Sequence, residues 1–183
     1  MKFNETLLEG AYVIELDPFE DNRGVFVRLF CKKEFGDRNL KTEFVQTNYS
    51  LTKNKGAIRG MHFQFPPKAE TKIVKCLRGS VFDVIVDLRK DSPTFLKWHG
   101  EELSEKNNKA VYIPKGFAHG FQTLEDNCGL IYFHDEFYSK EAEGGISPSD
   151  QKINIKWPLE LTEISEKDKN RPLLDKNFQG IEI

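Results

Sequence analysis

The chain is punctuated too often to build long helices. Short runs rich in Val, Ile, Phe and Tyr recur between turn signals: AYVIEL before DPFEDNRG, EFVQTNYSL before TKNKG, AIRGMHFQF before Pro66-Pro67, and TKIVKCL before Arg78-Gly79. SVFDVIVDL follows at once, so LRGS reads as a hairpin turn between two strands. TFLKWHGEEL, KAVYIP, HGFQTL and GLIYFHDEF are further strand candidates, while CKKEFGDRNL and the stretch around ISEKDKN read as short helices. Many short strands without alternating long helices predict an antiparallel sandwich or barrel. No repeat, low-complexity linker or composition shift divides the sequence, so residues 1–183 are expected to form a single domain.

Composition removes several classes of function. A net charge of −2 leaves no electrostatic footprint for nucleic acid or for an anionic membrane. No run approaches the ~18 apolar residues of a membrane span, and MKFNETLLEG lacks the apolar stretch of a signal peptide. The three cysteines, Cys31, Cys76 and Cys128, form no CxxC pair, and their odd number argues against a disulfide framework. The expectation is a cytoplasmic protein with reduced thiols.

Strand parity says which side chains share a face. In SVFDVIVDL, the period of two puts Phe82, Val84, Val86 and Leu88 together, and that face should line a core. In TKIVKCL, Lys72 lies with Val74 and Cys76, whereas Lys75 lies with Ile73 and Leu77. One of the two lysines is expected to enter an enclosed space, and parity leaves open which. Arg59 and His62 have opposite parity and cannot meet in a regular strand. Gly60 between them predicts a bulge that returns both to one side.

The segments IRGMHFQFPPKAETK and IPKGFAHGFQTLED place Arg59, His62, Lys72 and His119 on strand-like runs where apolar residues are the rule. A base, a fixed cation and an arginine clamp suit removal of a proton beside a carbonyl on an anionic substrate. A metal centre needs several converging ligands. His62-x-Gln64 lacks the second histidine that a cupin metal site would want, so no metal is expected. Arg23 and Arg59 stand beside glycines, where the backbone can approach a ligand and a guanidinium fork can grip pyrophosphate. Tyr132 and Tyr138 bracket the aromatic stretch YFHDEFY.

Taken in order, DNRGVF, FVQTNYS, IRGMHFQFPP, ETKIVKCLRGSVFDVIVDLRKDSPTF, YIPKGFAHGFQTLED, IYFHDEFYS and ISEKDKNRPLL resemble the dTDP-4-dehydrorhamnose 3,5-epimerase family. The resemblance implies a mainly β, cupin-type antiparallel β-barrel of jelly-roll form with a few short helices. It implies a homodimer with shared active sites and chemistry without metal or organic cofactor. His62 matches the family's base, Asp168 the carboxylate paired with it, Tyr132 the acid on the opposite sugar face, and Lys72 the cation near the carbonyl oxygen. His119 falls close to the sugar. Arg23, Gln46, Asn48, Arg59, Glu143 and Lys167 match positions that hold the nucleotide or sugar, Tyr138 joins that binding set, and Phe26 matches a residue stacking on the base. The chain departs from the usual pattern at Arg28, where an acidic residue is frequent, and in GISPSDQ at Gly145 to Gln151.

The implied activity is inversion of C3 and C5 in a dTDP-4-keto-6-deoxyhexose. Inversion at C3 alone needs the same base, acid and cation, so it stays open, as does a non-catalytic nucleotide-sugar binding module.

Overall fold

The computed structural model describes residues 1–183. Thirteen strands and two short helices follow one another as β1 (Lys2–Glu5), β2 (Tyr12–Glu15), β3 (Pro18–Asp21), β4 (Gly24–Val27), α1 (Lys32–Gly36), β5 (Gln46–Thr52), β6 (Ile58–Gln64), β7 (Lys72–Arg78), β8 (Ser80–Asp87), β9 (Trp98–Ser104), β10 (Lys109–Ile113), β11 (Phe117–Thr123), β12 (Cys128–His134), β13 (Glu143–Gly145) and α2 (Glu166–Lys169). One sheet runs β1-β2-β10-β7-β12-β5, a second runs β13-β6-β11-β8-β9, and β3 with β4 forms a separate hairpin. Every pairing between named strands is antiparallel. The two large sheets face each other in jelly-roll fashion, but their edges are not joined by hydrogen bonds into a closed barrel. No helix is long and apolar enough to cross a membrane, and all three cysteines are free.

LRGS is not a hairpin turn. β7 pairs with β10 and β12, whereas β8 pairs with β11 and β9, so the link crosses from one sheet to the other. Gly79 makes that step at φ +73°, in the left-handed region that glycine enters without penalty. The segment DPFEDNRG, which reads as a turn, instead supplies a whole strand and the tip of the β3–β4 hairpin. The strand expected from TFLKWHGEEL begins only at Trp98.

Three apolar layers hold the sheets. Val74, Cys76, Val111, Ile113 and Leu130 of the first sheet meet Val81, Ile85, Leu103, Phe117 and Phe121 of the second. The face of β8 expected to line a core does so on the other side of its sheet. Val84, Val86 and Leu88, flanked by Phe82, pack under Ile153, Ile155, Trp157, Leu174 and Ile181 of the C-terminal segment. Ile14, Ile73, Ala110 and Tyr112 on the back of the first sheet bury Phe35 of α1.

Both lysines of β7 are buried. Lys72 follows Val74 and Cys76 into the space between the sheets. Lys75, on the opposite face, gives its ammonium group to the carbonyls of Cys76 at 2.9 Å and Ser104 at 2.7 Å, and burial lowers its pKa.

The bulge is present at Gly60. His119 stands opposite His62 and Phe121 opposite Arg59, so β6 carries one residue more than β11 over that stretch. Gly60 adopts φ +119°, and a Cβ there would lie 2.6 Å from Gly120 Cα and 2.7 Å from the His119 carbonyl oxygen. Gly60→Ala is therefore expected to lower unfolding free energy by about 2–3 kcal/mol through backbone strain and overpacking. Urea denaturation followed by circular dichroism measures this, and an unchanged midpoint would refute the account.

Candidate active site

The space between the sheets is apolar at one end and polar at the other. Along β12, Cys128, Leu130, Tyr132 and His134 alternate on one face, and the first two belong to the inter-sheet core. His134 is paired in register with Lys72 and Tyr132 with Val74, so the polar side chains gather at one mouth. An outer compartment of about 750 Å³ opens there, lined by Gln46, Tyr138, Glu143 and Lys167 among others. An inner compartment of about 260 Å³ continues to Ser50, His119 and Tyr132. Asn48, Arg59, His62, Lys72 and His134 border both.

The two-strand register explains the histidine. The bulge turns Arg59 and His62 to the same side while Met61 points away into the outer core. His62 Nε2 lies 2.6 Å from Asp168 Oδ1, which leaves Nδ1 outside that contact. Asp168 is almost fully buried, on α2, and its position is fixed from three directions. Ser165 caps the helix, its hydroxyl accepting from the Asp168 N–H at 3.1 Å, as a serine N-cap does. The Gly60 N–H donates to Asp168 Oδ2 at 3.3 Å. Burial alone would raise this carboxyl's pKa, but the contact with His62, its attraction and the Gly60 and Ser165 hydrogen bonds outweigh it and hold the pKa below the ordinary value. An ionised Asp168 holds the imidazole in one orientation.

Lys72 pairs with Glu70 at 2.8 Å. Glu70 also accepts from His134 Nδ1 at 2.8 Å, and His134 Nε2 reaches Asn48 at 3.3 Å. Burial pushes Glu70 up, yet His134 and Lys72 bring it net below its ordinary value. His119 is held by Asp83 at 2.8 Å. Tyr132 hydrogen-bonds Ser50 Oγ at 2.9 Å. Removal from water pushes its phenol far above the ordinary range, the Ser50 bond opposing only in part. At the outer rim Glu143 accepts from Tyr138, Lys167 and Arg171. Burial works against it, but these donors bring its pKa down to about 2. Each histidine of the site thus has its own carboxylate, and no three His, Cys, Asp or Glu side chains converge as metal ligands do.

The structure brings together Gln46, Asn48, Arg59, His62, Lys72, His119, Tyr132, Tyr138, Glu143, Lys167 and Asp168 around the two compartments. It does not bring Arg23 or Phe26 to them. Both lie on the β3–β4 hairpin, around a separate surface hollow. There Arg23 pairs with its neighbour Asp21 at 2.6 Å and Phe26 is 74% exposed. Arg28 pairs with Glu34 at 3.3 Å, away from both compartments. Sequence reasoning missed Ser50, Glu70, Asp83, His134 and Arg171. Of these only Glu70, two residues before Lys72 in the same motif, carried a local signal.

The family model described as dTDP-4-dehydrorhamnose 3,5-epimerase matches residues 5–176. The dTDP-4-dehydrorhamnose 3,5-epimerase of Shigella flexneri is 45% identical over 171 residues, spanning 93% of this chain and 94% of that one. The crystal structure of the Bacillus anthracis enzyme of that name, with TDP and PPi bound, superposes with a TM-score of 0.91 at 43% identity, covering 94% of this chain and 99% of that one. A dTDP-6-deoxy-D-glucose-3,5-epimerase from Legionella pneumophila, in complex with dTDP-4-keto-L-rhamnose, superposes with a TM-score of 0.91 at 36% identity over 98% of this chain and 97% of its own. With the family model, the relatives and the jelly roll in agreement, this chain belongs to the dTDP-4-dehydrorhamnose 3,5-epimerase family.

Proposed function

We infer that this chain inverts C3 and C5 of a dTDP-4-keto-6-deoxyhexose, converting dTDP-4-dehydro-6-deoxyglucose into dTDP-4-dehydrorhamnose. The observation that carries the reading is the carboxylate-paired His62 sharing one inner compartment with the phenol of Tyr132 and the ammonium of Lys72. A 4-keto group acidifies the hydrogens at C3 and C5, because the carbanion delocalises onto oxygen as an enolate. His62 is the base that takes the proton, and Asp168 stabilises the imidazolium so formed. Lys72 supports the negative charge that grows on the oxygen, stabilising the transition state more than the ground state. Tyr132, its pKa held high by burial, stays protonated near neutral pH and returns a proton from the other face. His119 rests against the sugar. Arg59, Lys167, Gln46 and Asn48 hold the nucleotide and diphosphate, with Tyr138 and Glu143 at the rim. The free thiols suit a reducing cytoplasm.

We further propose a homodimer in which Arg23 and Phe26 complete the partner's site. What supports this is that both are exposed on a hairpin away from their own pocket, and that β5 ends its sheet with no strand beyond it. An uncovered strand edge invites pairing with a second copy.

In deuterated water with dTDP-4-keto-6-deoxyglucose, NMR should find deuterium at both C3 and C5. Label at C3 alone would instead establish a 3-epimerase, and label at neither a binding protein. His62→Ala should lose exchange at both carbons while still binding dTDP, and near wild-type exchange would remove His62 as the base. Asp168→Asn should slow turnover by roughly 10²–10⁴-fold; an unchanged rate would exclude it from the mechanism. For the dimer, Arg23→Ala and His62→Ala proteins are mixed under conditions that allow subunit exchange. A site shared between subunits gives some mixed dimers one intact site, so activity returns. No recovery despite proven exchange means that Arg23 serves its own subunit.

A further inference from the structure

Resting on that reading, each inversion leaves His62 with a proton taken from carbon and Tyr132 without the one it gave. Tyr132 must be reprotonated before it acts again, either between the two centres or between turnovers. The site offers few donors for this. His62 Nε2 is held by Asp168, and His134 engages both ring nitrogens with Glu70 and Asn48. The hydrogen bond that the Tyr132 hydroxyl does make is to Ser50 Oγ, at 2.9 Å.

Ser50 occupies a particular place. β5 is the outer strand of its sheet, and Tyr132 pairs in register with Asn48 while Leu130 pairs with Ser50. The period of two therefore turns Asn48, Ser50 and Thr52 inward over β12, and Tyr49 and Leu51 outward, where both are exposed. Asn48 is taken by His134 and the Thr52 hydroxyl is buried without a partner. Ser50 is the member of that row that touches the phenol. It is half-buried and borders the inner compartment, with its hydroxyl against that of Tyr132. A serine hydroxyl donates and accepts at once and rotates freely between partners.

We propose that Ser50 is a proton relay that resets Tyr132 after each inversion. The Ser50 hydroxyl gives its proton to the phenolate oxygen and takes one from a water molecule in the compartment. The hydroxide left behind is neutralised by the proton that the His62 imidazolium releases to solvent. Over one inversion a proton passes from carbon through His62 to water, and another passes from water through Ser50 and Tyr132 to carbon, so nothing accumulates. The high pKa of the buried phenol makes its phenolate draw strongly on the donor in contact with it.

The test compares wild type, Ser50→Ala and Ser50→Thr on dTDP-4-keto-6-deoxyglucose in deuterated water. Rapid quench with enzyme in excess reads the first turnover, and steady-state assays read the reset. Ser50→Ala should perform the first carbon exchange at the wild-type rate. Its later exchange and its kcat should fall by roughly 10²-fold, the lower end for a positioned proton-transfer group, and KM should fall with kcat because the slowed step follows the first chemistry. Ser50→Thr, which keeps the hydroxyl, should restore them. An alanine variant with wild-type kcat overturns the relay, and so does one whose first exchange slows as much as its steady state. A threonine variant as slow as the alanine one also counts against it. If wild type labels only one carbon, the two-centre reading falls by itself. The relay is then still judged by first turnover against steady state, because Tyr132 must be reset once per cycle either way.

Discussion

Between Arg59 and His62, β6 carries one residue more than the facing stretch of β11, and its backbone there runs against Gly120 with no room for a side chain. That single insertion has four effects at once. It turns Arg59 and His62 to the same side, sends Met61 into the outer core, frees the Gly60 N–H for Asp168 and brings β6 within reach of α2. A regular strand would have kept at most one of the two side chains facing the pocket. The rest of the polar site is arranged around what this bulge places.

A polar interior is expensive unless its charges are paired and hydrogen-bonded. Here each inward histidine has a separate carboxylate: Asp168 for His62, Asp83 for His119 and Glu70 for His134, the last shared with Lys72. The His62–Asp168 pair also ties the second sheet to the tail, whereas the other two join neighbouring segments within a single sheet. Groups fixed in this way need not reorganise as charge moves during the reaction, which is the condition for electrostatic catalysis. The apolar end of the same space supplies the stability, with Val74, Ile85, Leu103 and Leu130 fully enclosed.

Much of this was legible from residue order. Apolar runs located most long strands, period two put Lys72 with Val74 and Cys76, and Gly60 marked the bulge. What parity could not say was which sheet a strand joins. LRGS has the composition of a tight turn, yet its flanking strands find partners far away in sequence. KFNE and EGG are too short and polar to signal strands, and both are edges that pair on one side only. Similarly, the choice of β8 face was right about burial but silent on what covers it, because both faces of that strand are packed and both carry buried apolar residues. Among the site residues, His62 and Asp168 stand 106 positions apart, so only family likeness joined them. His134, Asp83 and Ser50 matter through their partners across the sheet, and no local pattern reports a partner.

The C-terminal segment is more than a cover. Ile153, Ile155, Leu174 and Ile181 bury the outer face of the second sheet, the Ile58 N–H donates to Glu163, and between these anchors the same segment carries Asp168. The carboxylate that holds His62 is thus mounted on the layer that closes the outer core. Partial detachment of that layer would leave both sheets standing while removing Asp168 from His62. On the proposed mechanism a local opening of the tail would therefore silence the enzyme, under warming or mild denaturant, before the sheets lose their structure.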